Sequence, residues 1–441
     1  MAISKLVAGA KGAVGNSTGA EIAETVNGLI DLSRTPYQAQ SFTNSTDIVD
    51  NSVNLATYTM LMMVPVEYDA IRIGWFHAGG GGNLSNLNMV VASTDNIGDL
   101  TYTNTDAAKK FITPEKDGVE YNSISTNGWR GVTWGGAGKL NITDPADGNY
   151  KIEYSDLISL NSVPHANNLY SGFRAVLVRV FPGDGVFSRG SFAGFSDPSK
   201  FLSECGDSIV LGATRGGGDH VANLAGWERA FTPSFSDSSV MPMMVEALSM
   251  TSNKVSVLFA GDSRFASASI TATSENRAYQ TLQWKSQQAM IDLGLNAGYL
   301  SCSKGGRTTD EYFSVAVEML KSANPSHAVY LAYSSNDGAP TVERMANSRF
   351  KMLQFIALCK EKSIQPLILT SFPTSTGYTN DELSLLSDLD SYVASYGARY
   401  ISPLKEYGTA NGDWKSGFNE DANHMTDAGY NDLAEKIARL I

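Results

Sequence analysis

Residues 255–263, Val-Ser-Val-Leu-Phe-Ala-Gly-Asp-Ser, decide the fold of the second half of this 441-residue chain. Their apolar, β-branched run predicts a buried strand that stops at Gly261. The following turn would place the hydroxyl of Ser263 at the carboxyl edge of a sheet, where open α/β sheets bind their ligands. A Gly-Asp-Ser tripeptide is also common in ordinary turns, and residues 206–208 repeat it. Only the sequence around each copy can therefore indicate which of the two serines is a candidate functional residue.

Strand-like and helix-like segments alternate from residue 251 onward. This alternation predicts one parallel sheet with helices on both faces, a three-layer α/β sandwich over residues 251–441. The copy at residues 206–208 has no such frame, since a strand and not a helix is predicted after it. The predicted strands are 255–260, 297–302, 327–333, 366–371 and 398–401, and the predicted helices are 276–293, 309–322, 340–362 (opened by Pro340), 381–396 and 426–441.

Residues 37–250 have a different sequence pattern. Short strand-like runs are separated by clusters of Asn, Asp, Gly, Ser and Thr, with little helical periodicity, which predicts a β-sandwich or jelly roll. Four tryptophans in this region could stack on sugar rings or lie in the core, and the core is the commoner place. They are Trp75, Trp129, Trp134 and Trp227.

Residues 1–36 predict a short N-terminal helical arm. Residues 18–21 fit a capping box, and apolar residues then recur on one helical face over about three turns. The arm either docks on its own domain or packs against copies of itself. The second alternative predicts a homo-oligomer such as a trimer.

Composition excludes several classes of protein. The net charge of −12 disfavours nucleic-acid binding, because phosphates need basic partners. No apolar run approaches the length of a membrane span, and the first residues lack the features of a signal peptide. We therefore expect a globular protein with no nucleic-acid partner and no membrane insertion.

The sequence predicts no cofactor and no metal site. Three widely spaced cysteines, Cys205, Cys302 and Cys359, form no CxxC pair, and the last two are expected to be buried thiols in a chain made in a reducing cytoplasm. A glycine-rich stretch at residues 134–139 ends in Gly-Lys. Leu140 follows where a P-loop needs a hydroxyl for magnesium, so we predict no nucleotide site.

The ends of the predicted parallel strands carry the parts of a serine hydrolase. Ser263 follows the first strand, Gly306 the second and Asn336 the third, while Asp421 and His424 precede the last helix. A nucleophile, a base, a group that orients the base and donors for an oxyanion are what such an enzyme needs. An Asp and a His three residues apart can meet within one turn.

These four blocks, in this order, resemble the SGNH hydrolases, also called the GDSL esterase family, over residues 252–441. The resemblance implies a flavodoxin-like sheet, with Ser263 as nucleophile, His424 as base and Asp421 as its orienting carboxylate. It also implies an oxyanion hole made by the N–H groups of Ser263 and Gly306 and by the Asn336 amide. One departure is Ser334, where the family usually has glycine two places before the asparagine.

Neighbouring charged residues have more ordinary interpretations. Asp262 is expected to stabilise the turn, whereas Asp337 either caps the turn that follows it or touches substrate. Arg264 and Arg307 flank the site, where they either bind an anionic substrate or are solvated.

The predicted function is hydrolysis of acyl esters, with O-acetyl groups on carbohydrate as the favoured substrate. The arm, the β-region and the missing signal peptide resemble phage tail spike or tail fibre proteins, which implies a virion-borne, extracellular deacetylase of host polysaccharide. A carbohydrate-binding attachment protein with a vestigial esterase is one alternative. Another is a lipase or thioesterase of the same family, with a cytoplasmic location possible.

Overall fold

The computed structural model describes most of the chain from residue 254 and separate parts of the chain before it. The described residues are 37–41, 56–65, 68–93, 130–146, 149–159, 173–181, 183–185, 209–217, 232–233, 243–249, 254–266, 281–303, 305–323 and 325–441. The predicted arm at residues 1–36, the second Gly-Asp-Ser copy, Cys205, Trp129 and Trp227 lie outside these ranges. The arm, the trimer and the virion location therefore stay predictions.

The described part of residues 37–250 consists of β-strands. They are β1 (Tyr37–Ser41), β2 (Ala56–Pro65), β3 (Tyr68–Ala78), β4 (Leu84–Ser93), β5 (Arg130–Gly131), β6 (Leu140–Ile142), β7 (Tyr150–Tyr154), β8 (Ile158–Ser159), β9 (Phe173–Phe181), β10 (Asp184–Gly185), β11 (Ile209–Gly217), β12 (Thr232–Pro233) and β13 (Met243–Ser249). Strand β11 follows directly on residues 206–208, so a strand and not a helix comes after this copy of the tripeptide.

These strands pair antiparallel throughout the described ranges. One sheet has the order β1-β13-β3-β7, with β8 beside β3, and the other has the order β10-β4-β9-β2-β11-β12, with β5 and β6 beside β4. Strand β4 buries Leu87, Met89 and Val91, the alternation expected of a strand with one face on a core. Packing of the two sheets as a sandwich or jelly roll stays a prediction.

The second half is the predicted alternation of strands and helices. Its strands are β14 (Lys254–Ala260), β15 (Asn296–Ser301), β16 (His327–Leu331), β17 (Gln365–Leu369) and β18 (Arg399–Ile401). Its helices are α1 (Ser263–Ala266), α2 (Leu282–Asp292), α3 (Thr309–Ser322), α4 (Val342–Glu361), α5 (Asn380–Ser395), α6 (Pro403–Tyr407) and α7 (Asp427–Leu440). None of the described helices is both long enough and apolar enough to cross a bilayer.

The five strands form one parallel sheet in the order β15-β14-β16-β17-β18. This is the flavodoxin-like order 2-1-3-4-5, whose topological switch point lies between the first and third strands. Val257, Leu258 and Phe259 of β14 are fully buried, as expected when helices cover both faces of a parallel sheet. The prediction of an α/β sheet is therefore confirmed, and the switch point, where sheets of this kind bind their ligands, lies at the carboxyl ends of β14 and β16.

Side-chain caps set the first residue of two predicted helices. Thr341 accepts a hydrogen bond from the N–H of Arg344, so α4 begins after it and Pro340 lies outside the helix. Thr281, in an extended conformation, caps α2 in the same way, so α2 begins at Leu282, and residue 276, the predicted start, lies outside the described residues. A cap sets the first helical residue more sharply than apolar spacing does, because it satisfies an N–H that the helix leaves unpaired.

The two halves of the chain share buried apolar surface. Phe76 of β3 and Ile152 of β7 belong to the same hydrophobic cluster as the core of the parallel sheet. Strand β7 packs against α3. Within the β-region, the ring centroids of Phe76 and Tyr150 lie 5.2 Å apart and join β3 to β7. The β-region thus covers the helix whose first turn follows Gly306 and Arg307.

We predict that Gly261→Ala lowers stability while Gly138→Ala does not. A methyl group on Gly261 would lie 2.8 Å from the ring of Phe265, which is fully buried, so the core would have to shift at a cost of about 1–3 kcal/mol. A methyl group on exposed Gly138 meets nothing within 4 Å. Thermal melting of both variants checks this, and a Gly261→Ala protein that melts like the wild type would contradict it.

Candidate active site

Ser263 lies where the sequence predicts, at the carboxyl end of β14. The strand ends at Ala260, residues 261–262 turn the chain, and Ser263 is the first residue of the single-turn helix α1. The N–H groups of Phe265 and Ala266 both donate to the carbonyl of Asp262, which closes this turn. Ser263 keeps part of its surface exposed, although Asp262 and Arg264 on either side are buried.

A chain of hydrogen bonds joins Ser263, His424 and Asp421. The Oγ atom of Ser263 lies 2.9 Å from Nε2 of His424, and Nδ1 of His424 lies 2.8 Å from Oδ2 of Asp421. A carboxylate accepts only, so Nδ1 of the neutral ring carries the proton and Nε2 is left to accept one. In this tautomer His424 can take the hydroxyl proton of Ser263.

The carboxylate of Asp421 is held in place by its own turn. Its Oδ1 atom accepts the N–H groups of Asn423 at 2.7 Å and of His424 at 2.8 Å. Partial burial disfavours the charge, but these two bonds and the one from the His424 ring outweigh it and lower the pKa of Asp421. Asp421 therefore remains charged next to the ring that it orients.

Trp414 and Ser375 anchor the loop that carries these two residues. The carbonyl of Ala422 accepts hydrogen bonds from Nε1 of the buried Trp414 at 3.2 Å and from the N–H of Ser375 at 2.9 Å. Sequence reasoning missed both anchors. The signal available was a tryptophan in an otherwise polar loop ten residues before His424.

The predicted oxyanion donors lie at the same edge of the sheet. Gly306 sits in a two-residue turn with φ 80°, a left-handed conformation that favours glycine. A methyl group on Gly305 would lie 3.7 Å from Cβ of Ser263, so this turn lies beside the nucleophile. The amide of exposed Asn336 donates one hydrogen to the carbonyl of Arg307 at 2.9 Å, which leaves its second hydrogen for another acceptor.

Asp262 and Asp337 both hold the backbone in place. Oδ1 of Asp262 accepts the N–H of Arg264 at 2.9 Å, as expected of a turn-stabilising carboxylate. Asp337 accepts the N–H of Thr309 at 3.1 Å and also its hydroxyl, so it reaches the start of α3 and does not cap the turn that follows it. Burial raises the pKa of Asp337, although its bonds to Thr309 oppose this.

The two flanking arginines are buried, so the prediction of solvated side chains is wrong. Arg264 is 1% exposed, and its guanidinium carbon lies 5.1 Å from the ring centroid of Phe372. Arg307 is 6% exposed, and its Nη1 donates to the carbonyl of Cys302 at 3.1 Å.

Other sequence features have structural roles within the described residues. Asp156 accepts the N–H groups of Gly135 and Gly136 at 2.9 and 2.8 Å, so the glycine-rich stretch already holds a carboxylate where a phosphate would have to bind. Trp75 and Trp134 are buried core residues, and Cys302 and Cys359 are buried thiols. Burial raises the pKa of each thiol to about 12.

No group of three potential metal-ligating side chains occurs among the residues that the structure describes.

Comparison with known proteins gives similarity to solved structures alone. No protein-family model matches the chain, and no curated protein does. It is similar to a lipolytic protein of the G-D-S-L family from Desulfitobacterium hafniense, at 15% identity and TM-score 0.34, over 43% of this chain and 100% of that one. It is also similar to an acetyl xylan esterase, at 16% identity and TM-score 0.33, over 42% of this chain and 100% of that one. A family two carbohydrate esterase from Cellvibrio japonicus has 9% identity and TM-score 0.33, over 92% of this chain and 97% of that one.

We predict that Asp421→Asn lowers kcat by on the order of 10⁴-fold, because an amide neither stabilises a charged ring nor fixes its tautomer. The matched control is Asp427→Asn, three residues beyond His424. Asp427 is half exposed and pairs with Lys285, away from the triad. Steady-state kinetics on an activated ester compare the two variants, and equal losses in both would show that the effect is not specific to Asp421.

Proposed function

We propose that this protein is a serine esterase. The observation that carries the proposal is the hydrogen-bonded chain from Asp421 through His424 to Ser263. A hydroxyl bonded to a base that is itself oriented by a carboxylate is the arrangement that activates serine as a nucleophile. The arrangement lies at the carboxyl end of the sheet, next to the topological switch point, where such folds place their ligands.

The proposed reaction begins with attack of Ser263 Oγ on the ester carbonyl carbon while His424 Nε2 takes the hydroxyl proton. The N–H groups of Ser263 and Gly306 and the free amide hydrogen of Asn336 stabilise the oxyanion. The protonated ring is stabilised by the carboxylate of Asp421. The intermediate then collapses, the C–O bond to the alcohol breaks, and His424 gives its proton to the departing oxygen.

Deacylation repeats the same steps with water. His424 takes a proton from a water molecule, the hydroxide attacks the acyl-enzyme carbonyl, and the proton returns to Ser263 when the acid leaves. Ser263 and His424 are both partly exposed, so water reaches the acyl carbon without a change in the structure.

We extend the proposal to O-acetyl esters on carbohydrate as the substrate class. The Gly305–Gly306 turn lies beside Ser263, and these two glycines, like Asn336 and Ser375 on neighbouring loops, are exposed and small or polar. An exposed surface of small and polar residues suits a hydrated sugar better than a long acyl chain, which needs extended apolar surface. The partial exposure of the nucleophile also suits an acyl group attached to a bulky polymer.

We predict that Ser263→Ala lowers hydrolysis of p-nitrophenyl acetate by at least about 10⁴-fold, because no other group replaces the nucleophile. Ser208→Ala is the matched control, since it changes the serine of the second Gly-Asp-Ser copy. It should hydrolyse the ester at the wild-type rate. Equal rates for wild type and Ser263→Ala, or loss of activity in Ser208→Ala, would falsify the assignment of the nucleophile.

A series of p-nitrophenyl esters tests the acyl group. We expect kcat/KM to fall by on the order of tenfold or more from acetyl to octanoyl, since even one methylene that finds no matching apolar surface can cost about 1–3 kcal/mol. Acetate release from O-acetylated bacterial polysaccharides then tests the carbohydrate, with Ser263→Ala as the blank. Preference for octanoyl would indicate a lipase or thioesterase. Glycan binding without acetate release would indicate an attachment protein.

A further inference from the structure

The side chain of Ser334 connects three loops at the carboxyl edge of the sheet. It is fully buried. Its Oγ atom lies 2.7 Å from Oδ2 of Asp262, 2.9 Å from the carbonyl oxygen of Arg307 and 3.1 Å from the backbone nitrogen of Asn336. Asp262 follows β14, Arg307 follows β15, and Asn336 follows β16.

Each of these loops carries one proposed oxyanion donor. Asp262 is the residue before Ser263, Arg307 is the residue after Gly306, and Asn336 supplies its own amide. Each group that the Ser334 hydroxyl contacts therefore belongs to a donor residue or to the residue next to it in the sequence. It also spans the switch point between β14 and β16, beyond the last paired residues of these strands, Ala260 and Tyr330.

The hydrogen bonds at Ser334 fix Asn336 at two points. Ser334 Oγ accepts the backbone N–H of Asn336, and the side-chain amide of Asn336 donates to the same carbonyl of Arg307 that lies within reach of the Ser334 hydroxyl. The single proton of that hydroxyl is shared between Asp262 and Arg307, because each offers an acceptor oxygen. Asn336 is thereby held by one bond from its backbone to Ser334 and by one bond from its amide to the Arg307 carbonyl that Ser334 also reaches, and these two bonds orient the remaining amide hydrogen.

We propose that Ser334 is a positioning residue of the oxyanion site. It acts through Asn336, directly and through the Arg307 carbonyl to which the Asn336 amide also donates, and it touches no substrate. The inference rests on the proposed esterase function. An oxyanion donor stabilises the transition state only when it lies about 2.7–3.1 Å from where the charge develops. Loss of the hydroxyl therefore lowers kcat and has little effect on KM.

The first test compares Ser334→Ala with Ser348→Ala, using p-nitrophenyl acetate. Ser348 is another fully buried serine, on α4. We expect Ser334→Ala to lower kcat by about 10–100-fold, the effect of losing a buried hydrogen bond to charged and backbone groups, with KM changed by less than about threefold. Ser348→Ala should keep the wild-type kcat. Unchanged kcat in Ser334→Ala, or a loss that appears in KM alone, overturns the proposal.

The second test combines Ser334→Ala with Asn336→Ala. Asn336→Ala alone should lower kcat by about 10²–10³-fold. If Ser334 acts through Asn336, the double variant is no slower than Asn336→Ala by more than about threefold. Losses that multiply would show a general structural effect and overturn the proposal.

Ser334→Gly keeps the test decisive if Ser334→Ala does not fold. It removes the same hydroxyl with less bulk, so the same loss of kcat is expected, and a wild-type kcat in this variant contradicts the proposed role.

The wild-type protein separates the two proposals. Absence of Ser263-dependent activity overturns the esterase function and the role of Ser334 with it, whereas an active wild type with equally active Ser334 variants overturns the role of Ser334 alone.

Discussion

The buried carboxylate of Asp262 is the constraint on which the nucleophile end of the site depends. A carboxylate without access to water is tolerated only when hydrogen-bond donors satisfy it. One oxygen of Asp262 takes the N–H of Arg264 and the other lies 2.7 Å from the hydroxyl of Ser334. The first bond closes the turn that presents Ser263, and the second ties that turn to the loop after β16. The nucleophile is thus positioned by a group that never meets the substrate.

The order of the parallel strands explains why distant parts of the sequence meet at this point. Strand β14 lies between β15 and β16, so the loops that carry Ser263, Gly306 and Asn336 leave the sheet side by side. The base comes from a fourth loop, which Trp414 and Ser375 hold against this edge. The β-region contributes indirectly, because β7 packs on the helix that follows the Gly306 turn.

Much of this arrangement could be predicted from the sequence, since each of the four blocks follows or precedes a recognisable element. Parallel strands bring their carboxyl ends to one edge, so predicted strand ends grouped Ser263, Gly306 and Asn336, while the spacing of Asp421 and His424 and the order of the motifs placed the base with them. The contacts of Ser334 could not be predicted in this way. It bonds to Asp262 across 72 residues, and a side-chain contact of that range leaves no periodic pattern. The burial of Arg264 and Arg307 was missed because charge in a sequence suggests exposure.

The separation of the base from the nucleophile has a consequence for the synthesis of the protein. Ser263 leaves the ribosome 161 residues before His424. At a translation rate of 5–20 residues per second this interval lasts roughly 8–32 s. During it the first strands of the sheet can pair, yet the serine has no partner to take its proton. Under the proposed function, the nascent chain stays inert toward esters until its loop beyond β18 has been made.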